Sequence, residues 1–287
     1  MTPSVGELLA AGIQKLKSAG IADAEISSRS ILQKLLQKAP AELQLAHADE
    51  LGADLIREFF CLIDKRASHY PLQYIIGEVE FYNVQLKVDP RVLIPRPETE
   101  TLIDFLIGTL RNKKDCAILD IGTGSGNIAI ALAANLNDAR ITAIDVSPAA
   151  LQLAEENAAL NGVSDKIFFY RANCLAESFW AGRQKFDVIV SNPPYVGQSQ
   201  LDELQPEIKY HEPLSAVLSE DDELKFFKVI AANAGHMVRS PGLICFEVGF
   251  GQAERVSEIL SVNIPQIAIR VLEDLSGAAR IVVGSLA

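Results

Sequence analysis

From Ala117 onward the chain alternates short apolar strands with helical stretches, and this alternation constrains the fold more than any other feature. Strands are read at 117–121, 141–145, 166–170, 186–190, 243–247, 267–272 and 279–283, the last as an edge strand. Helices are read at 128–136 and 148–160, the second closing on Asn161-Gly162, a C-cap signal. Such alternation builds a mostly parallel sheet with helices on both faces. The polar, acidic stretch from Val196 to about Glu223 has little apolar periodicity and reads as a lid or binding loop.

Upstream, residues 1–70 read as a small helical bundle. Val5, Leu8, Leu9, Ile13 and Leu16 share one helical face. Ile26, Ile31, Leu32, Leu35 and Leu36 suggest a second helix after an Asp23 cap, and Pro40 opens a third. Leu55, Phe59, Leu62 and Ile63 mark a fourth. None is long enough to stand alone, so they are expected to pack together. Tyr74-Ile75-Ile76-Gly77 and Val79 to Val88 carry β-branched and aromatic residues with a break at Asn83, which predicts a hairpin linker over 71–90. Pro95 and Pro97 then fix the backbone on either side of Arg96, and a helix is expected from Glu98 to Leu110. The predicted domains are 1–70, 71–90 and 91–287.

Composition narrows the class. Of 287 residues 49% are apolar and 22% charged, enough for a core without disulfides or metals and too apolar for disorder. Lys plus Arg is 26 against 37 Asp plus Glu, a net charge of −11, which weighs against a protein whose affinity comes from neutralising phosphates. Residues 1–70 carry 8 basic and 9 acidic side chains, so the acidity belongs to the second part. The longest apolar run, Ile128 to Ala134, is far short of the ~20 residues that span a bilayer. The first residues carry Glu7 and no basic segment, so no signal peptide is expected. Cys61, Cys116, Cys174 and Cys245 are scattered, which predicts buried thiols in a reducing cytoplasm and no metal site. His47, His69, His211 and His236 form no constellation, and there is no nucleophile elbow or P-loop.

The first strand of the alternating region runs into Asp120-Ile121-Gly122-Thr123-Gly124-Ser125-Gly126-Asn127. Glycines let the chain turn sharply and let a ligand approach main-chain N–H groups beside a helix N-terminus. Asp145 ends the next strand 19 residues after Gly126, where a carboxylate can accept from both ribose hydroxyls. A nicotinamide dinucleotide fits the loop if the glycine pattern starts at Gly124 and ends at Ala129. S-adenosylmethionine fits better, because Asp120 can receive its ammonium group and would repel a pyrophosphate.

The fourth strand breaks at Asn192-Pro193-Pro194-Tyr195, at the sheet edge where ligands sit in open α/β folds. Asn192 offers an amide oxygen, the prolines offer carbonyls without N–H groups at fixed φ, and Tyr195 offers a flat ring. Together they can hold a planar NH₂ group by both protons and aim its lone pair at an electrophilic methyl. That supplies alignment and preorganised acceptors without a metal or strong base. Glu247, at the end of a later strand, can touch ligand or cap a turn, and the turn is the expectation. The acidic run Glu220 to Glu223 reads as a solvated face or helix start.

The glycine loop paired with Asn192-Pro193-Pro194-Tyr195 resembles class I methyltransferases acting on planar nitrogens. Pro71-Leu72-Gln73-Tyr74-Ile75-Ile76-Gly77, Leu93-Ile94-Pro95-Arg96-Pro97-Glu98-Thr99-Glu100, Glu212-Pro213 and Asp274-Leu275-Ser276-Gly277 with Arg280 are similar to the HemK/PrmC family of release factor glutamine methyltransferases. The resemblance implies a class I, Rossmann-like, mostly parallel seven-stranded sheet with an N-terminal helical bundle and a linking β-hairpin. It implies N5-methylation of the glutamine in the Gly-Gly-Gln motif of class 1 peptide chain release factors, a step serving translation termination. S-adenosylmethionine would be the donor and S-adenosylhomocysteine the product.

By the family pattern Asp120, Gly122, Thr123, Gly124, Ser125, Gly126 and Asp145 would bind the donor, with Arg96 and Thr99 near its methionine part. Asn192 and Pro193 would hold the glutamine amide, with Pro194 and Tyr195 beside it, and the bundle would contact the release factor. A cytoplasmic monomer touching neither membrane nor nucleic acid is expected. The family often has an acidic residue on the adenine amino group where this chain has Asn173, followed by Cys174. The alternatives are a ribosomal protein glutamine methyltransferase and a nucleic acid adenine N6 methyltransferase, the latter disfavoured by the acidic charge. A nicotinamide-dependent oxidoreductase and a non-catalytic adaptor are further alternatives.

Overall fold

Ser4 starts the first helix with a reciprocal cap. Its hydroxyl accepts from the Glu7 N–H, and the Glu7 carboxylate accepts from the Ser4 N–H, satisfying two of the orphan donors of a helix start. The computed structural model of the chain describes residues 3–182 and 184–287. By its contacts it divides into two units: residues up to Glu78 with Gln205–His211, and Val79–Leu204 with Glu212–Ala287. The division thus falls at Glu78 rather than at 70, and most of the hairpin belongs to the second unit.

The first unit contains α1 (Val5–Ser18), α2 (Ala24–Leu36), α3 (Pro40–Leu45), α4 (Ala53–Ala67) and α5 (Leu72–Ile76). Leu8, Leu16, Ile31, Leu32, Phe59 and Ile63 are fully buried in its core. A Cβ at Gly12 would come within 2.5 Å of the Ser28 hydroxyl and 2.6 Å of the Phe59 ring, so glycine lets α1 approach α2 and α4 closely. Several expectations need correction. Ile26 is exposed. The Asp23 side chain caps no backbone N–H and instead accepts from the Ser27 hydroxyl and Arg66. Tyr74 to Ile76 form α5 rather than a strand, because Tyr74 and Ile75 are buried as a helical turn that Gly77 closes at φ 83°. Cys61 is exposed, while the other three cysteines are buried. His69 and His211 both lie in this unit: His69 is 3.6 Å from Glu207, and the His211 ring packs on Tyr70.

The second unit begins with the hairpin β1 (Glu78–Phe81) and β2 (Val84–Lys87), turned at Tyr82 and Asn83 with positive φ. In chain order follow α6 (Glu98–Leu110), β3 (Cys116–Ile121), α7 (Asn127–Asn135), β4 (Ala139–Asp145), α8 (Pro148–Leu160), β5 (Ile167–Arg171), α9 (Glu177–Trp180) and β6 (Phe186–Ser191). After α10 (Pro206–His211), part of the first unit, come α11 (Lys225–Met237), β7 (Val238–Glu247), α12 (Ala253–Asn263), β8 (Ala268–Glu273) and β9 (Ala279–Leu286).

The seven-stranded sheet has the order β5-β4-β3-β6-β7-β9-β8. Five strands are parallel, β9 is antiparallel to β7, and β8 to β9. The expected edge strand β9 is therefore interior. Ile281, Val282 and Val283 are buried, whereas β8 is mostly exposed and forms the edge. The stretch after residue 196 is not featureless either: short helical turns at Gln198–Glu203 and Leu214–Ala216 flank α10, and Val196 bridges to Leu218. Strands β3 and β6 are apolar runs buried on both faces, as central parallel strands must be. No helix among the described residues is long and apolar enough to cross a membrane.

Candidate active site

Strand β3 has β4 on one side and β6 on the other, so the connections after β3 and β6 part to opposite sides and leave a crevice beyond their carboxyl ends. A cavity of about 370 Å³ lies there, in the range of small-molecule sites. The Ser191 hydroxyl ties the two strand ends together, donating to the Ile121 carbonyl at 2.8 Å.

The glycine turn forms one wall. Gly122, Gly124 and Gly126 all have positive φ. At Gly122 and Gly124 a Cβ would meet nothing within 4 Å, which leaves main chain open to a ligand. At Gly126 it would come within 2.8 Å of Ile130, so this glycine serves the packing of α7. Asp145 accepts from the Gly124 N–H and the Ser147 N–H, both at 2.9 Å, and borders the cavity. Burial raises its pKa, against the pull of those backbone donors. Each oxygen keeps a lone pair for a hydroxyl.

Asp120 lies behind the cavity lining and is 0% exposed. One oxygen accepts from the Thr123 hydroxyl at 2.7 Å, while the other, Oδ1, has no partner. Burial pushes its pKa up to about 7; the Thr123 bond opposes this and the Asp145 charge adds to it. The Ser125 hydroxyl, on the cavity wall, is also without a partner. An orphaned carboxylate oxygen, an orphaned hydroxyl and open glycine main chain suit a cationic nucleoside ligand such as S-adenosylmethionine.

Asn173 and Cys174, which follow β5, also border the cavity. The Asn173 side-chain oxygen already accepts from the Leu175 N–H at 2.9 Å, and the Cys174 carbonyl takes the Trp180 indole at 2.7 Å. Burial raises the Cys174 thiol to about 11, so it stays protonated and apolar.

Asn192, Pro193 and Pro194 all border the cavity. The Tyr195 ring does not: it packs toward Gly249, and its carbonyl accepts from Gln252 at 2.9 Å. Burial, aided by the Glu247 charge, pushes its phenol up to about 12. Arg96 borders the cavity and is held by Glu212 at 2.6 Å; the other Glu212 oxygen accepts from the Ile94 N–H.

Two roles escaped sequence reasoning, although both residues stood out in it. Glu212 is a buried anchor for the Pro95-Arg96-Pro97 segment, although only its dipeptide stood out. Glu247 caps no turn: at 2% exposure it accepts from the Thr99 hydroxyl at 2.5 Å, and that hydroxyl lies 3.5 Å from the Asn192 amide nitrogen. Thr99 therefore connects a helix start to the end of β7. A carboxylate closing an otherwise apolar strand is the signal that pointed to Glu247.

A doubly wound sheet with a glycine turn, a carboxylate after β4 and an Asn-Pro-Pro-Tyr turn after β6 defines a methyltransferase of the class I type. Residues 100–208 match the methyltransferase small domain, and residues 7–77 match the PrmC N-terminal domain. The chain is 42% identical to the release factor glutamine methyltransferase of Streptococcus pneumoniae over 76% of this chain and 75% of that one. It is 36% identical to the release factor glutamine methyltransferase of Chlorobaculum tepidum over 93% and 92%. The chain belongs to the release factor glutamine methyltransferase family. In fold it is also similar to human methyltransferase 10 domain containing protein (TM-score 0.52, 19% identity, 72% of this chain and 90% of that one).

Proposed function

We propose that this protein methylates the side-chain amide nitrogen of the glutamine in the Gly-Gly-Gln motif of class 1 peptide chain release factors. S-adenosylmethionine is the donor in this reading. The observation that carries it is Asn192-Pro193-Pro194 bordering the same cavity as the glycine turn and Asp145.

When bound, the donor supplies an electrophilic methyl on a sulfonium sulfur. Asp120 neutralises an ammonium group, Asp145 accepts from ribose hydroxyls, and Asn173 and Cys174 face adenine. The Asn192 oxygen and the Pro193 carbonyl each accept one proton of the glutamine NH₂. Held by both protons, the nitrogen loses conjugation with its carbonyl and turns its lone pair toward the methyl. The new N–C bond forms as the S–C bond breaks, and one nitrogen proton leaves to water. Charge that develops on nitrogen meets acceptors already in place. The helical bundle of the first unit contacts the folded release factor. The acidic charge favours this protein substrate over nucleic acid.

The test is incubation with labelled methyl donor and release factor, followed by peptide mass analysis. Label is expected on the Gly-Gly-Gln glutamine, none on a Gln→Ala substrate, and none with Asn192→Ala enzyme that still binds the donor. Label on a ribosomal protein or RNA with none on release factor refutes the assignment.

A further inference from the structure

We propose that Glu247 is a positioning residue for Asn192: acting through the Thr99 hydroxyl, it sets which end of the Asn192 side-chain amide faces the cavity. The proposal deepens the glutamine-methylation reading and rests on it, since it explains how Asn192 comes to present an acceptor.

Three elements meet at this point. Thr99 is in the first turn of α6, Asn192 follows β6, and Glu247 ends β7. Thr99 is 0% exposed and Glu247 2%, so neither can exchange its partner for water. Thr99 Oγ1 lies 2.5 Å from Glu247 Oε2 and 3.5 Å from Asn192 Nδ2.

The direction of these bonds follows from counting protons. A hydroxyl has one proton to give, and an ionised carboxylate has none. Thr99 must therefore donate to Glu247, and it turns a lone pair toward Asn192. A lone pair can be satisfied only by the NH₂ end of the amide. The planar amide then turns its oxygen away from Thr99, free to accept from a ligand in the cavity that Asn192 and Thr99 both border. The reverse orientation would set oxygen against oxygen and aim NH₂ at the NH₂ of the substrate.

Burial raises the Glu247 carboxyl to about 7, with Glu98 adding to this and Thr99, Arg280 and Asn192 opposing it. Comparisons therefore belong at about pH 8.5, where the carboxyl is ionised. Glu247→Gln removes the obligation on Thr99, because a glutamine amide can rotate and donate instead. Thr99→Val breaks the relay at its middle, and Thr99→Ser keeps it.

Glu247→Gln and Thr99→Val are each expected to lower kcat by about tenfold or more, and in Glu247→Gln, whose side chain does not border the cavity, the Kd for S-adenosylhomocysteine is expected to move less than about threefold. Thr99→Ser is expected to keep kcat within about threefold of wild type. Because the two residues act in one chain, the double variant Glu247→Gln/Thr99→Val should be no slower than the worse single variant. Neutron diffraction on deuterium-exchanged protein should place the Asn192 amide deuterons on the Thr99 side in wild type and in mixed orientation in Glu247→Gln. Wild-type kcat in Thr99→Val, losses that multiply in the double variant, or deuterons on the cavity side of wild type would overturn the proposal. A wild type that leaves release-factor glutamine unmodified refutes the substrate reading, while the deuteron positions still decide this one.

Discussion

Asp120 has one oxygen taken by Thr123 and one with no partner, and its side chain is fully buried behind the cavity wall. With burial pushing its pKa up to about 7, the proposed contact of Asp120 with the donor's ammonium carries a definite pH dependence. A raised carboxyl pKa means that the fold favours the protonated form. Its stabilising contribution is present below the ordinary carboxylate range and is lost as pH rises through about 7. A cationic ligand needs the opposite form. Affinity for S-adenosylhomocysteine, which keeps the ammonium group, should therefore rise about tenfold from pH 6 to pH 8, following ionisation of Asp120. Calorimetric titration across this range checks it, and Asp120→Asn should flatten the profile. A wild-type profile as flat as the variant's would remove the ammonium from Asp120. Residues of this kind were legible because one contiguous stretch carries them: strand, acid, three glycines, helix. The Thr99–Glu247 pair was not, since 148 positions separate two side chains that only the folded sheet edge brings together.

Among elements, α8 does the work of a strand. Asn157 and Asn161, one turn apart, face β2 and bond its backbone as a neighbouring strand would. Asn157 accepts from the Lys87 N–H and donates to the Lys87 and Ser125 carbonyls. Asn161 does the same for Gln85, two residues back along β2. The hairpin edge is thereby covered, and through Ser125 the same helix is fastened to the glycine turn. Asn157 is 0% exposed, so Asn157→Ala strands buried backbone groups and should cost about 2–4 kcal/mol. Asn161→Ala, whose Gln85 contacts are exposed, should cost under about 1 kcal/mol. Denaturant unfolding of the two variants checks the difference, and equal losses would mean that burial does not set the cost. The limits of α6 and α8 were readable to the residue, because Pro97, Pro148 and Asn161-Gly162 punctuate them locally. The place of β9 was not, since chain order does not set spatial order once a strand can turn back antiparallel between two others.

At the scale of the molecule, the chain leaves the second unit after Leu204, contributes α10 to the first, and returns at Glu212, where the anchor for Arg96 begins. The composition and motifs that separated a helical part from a sheet part carried no sign of this excursion. Its basis is a charge cluster assembled from three distant places. Arg66, 5% exposed, donates to Ser27 at 3.0 Å, to Asp23 at 2.7 Å and to Glu207 at 3.0 Å. Burial is the largest single influence on the Glu207 pKa and works to raise it, but the Arg66 bond, the backbone donor and the nearby Arg66 and His69 charges together outweigh it, and the carboxyl ends below its usual range. A lowered carboxylate pKa contributes stability above the unfolded value of 4.5, and that contribution is lost as acid protonates the group in the fold. Cutting the chain at residue 70 would take Arg66 from Glu207, so a truncation confuses loss of the bundle with release of α10. A single substitution is cleaner. Arg66→Met leaves Asp23 and Glu207 without their shared guanidinium, with only His69 still beside Glu207, and should destabilise the first unit by about 1–3 kcal/mol, less than for a fully buried pair because Asp23 stays 38% exposed. Hydrogen exchange should quicken in residues 205–211 and in α4, while donor affinity holds within about twofold, since every residue bordering the cavity lies in the second unit. Methylation of folded release factor should fall, and the stability difference from wild type should shrink as pH drops below 4.5. Unchanged exchange at 205–211 in this variant would show that the cluster does not hold the excursion in place.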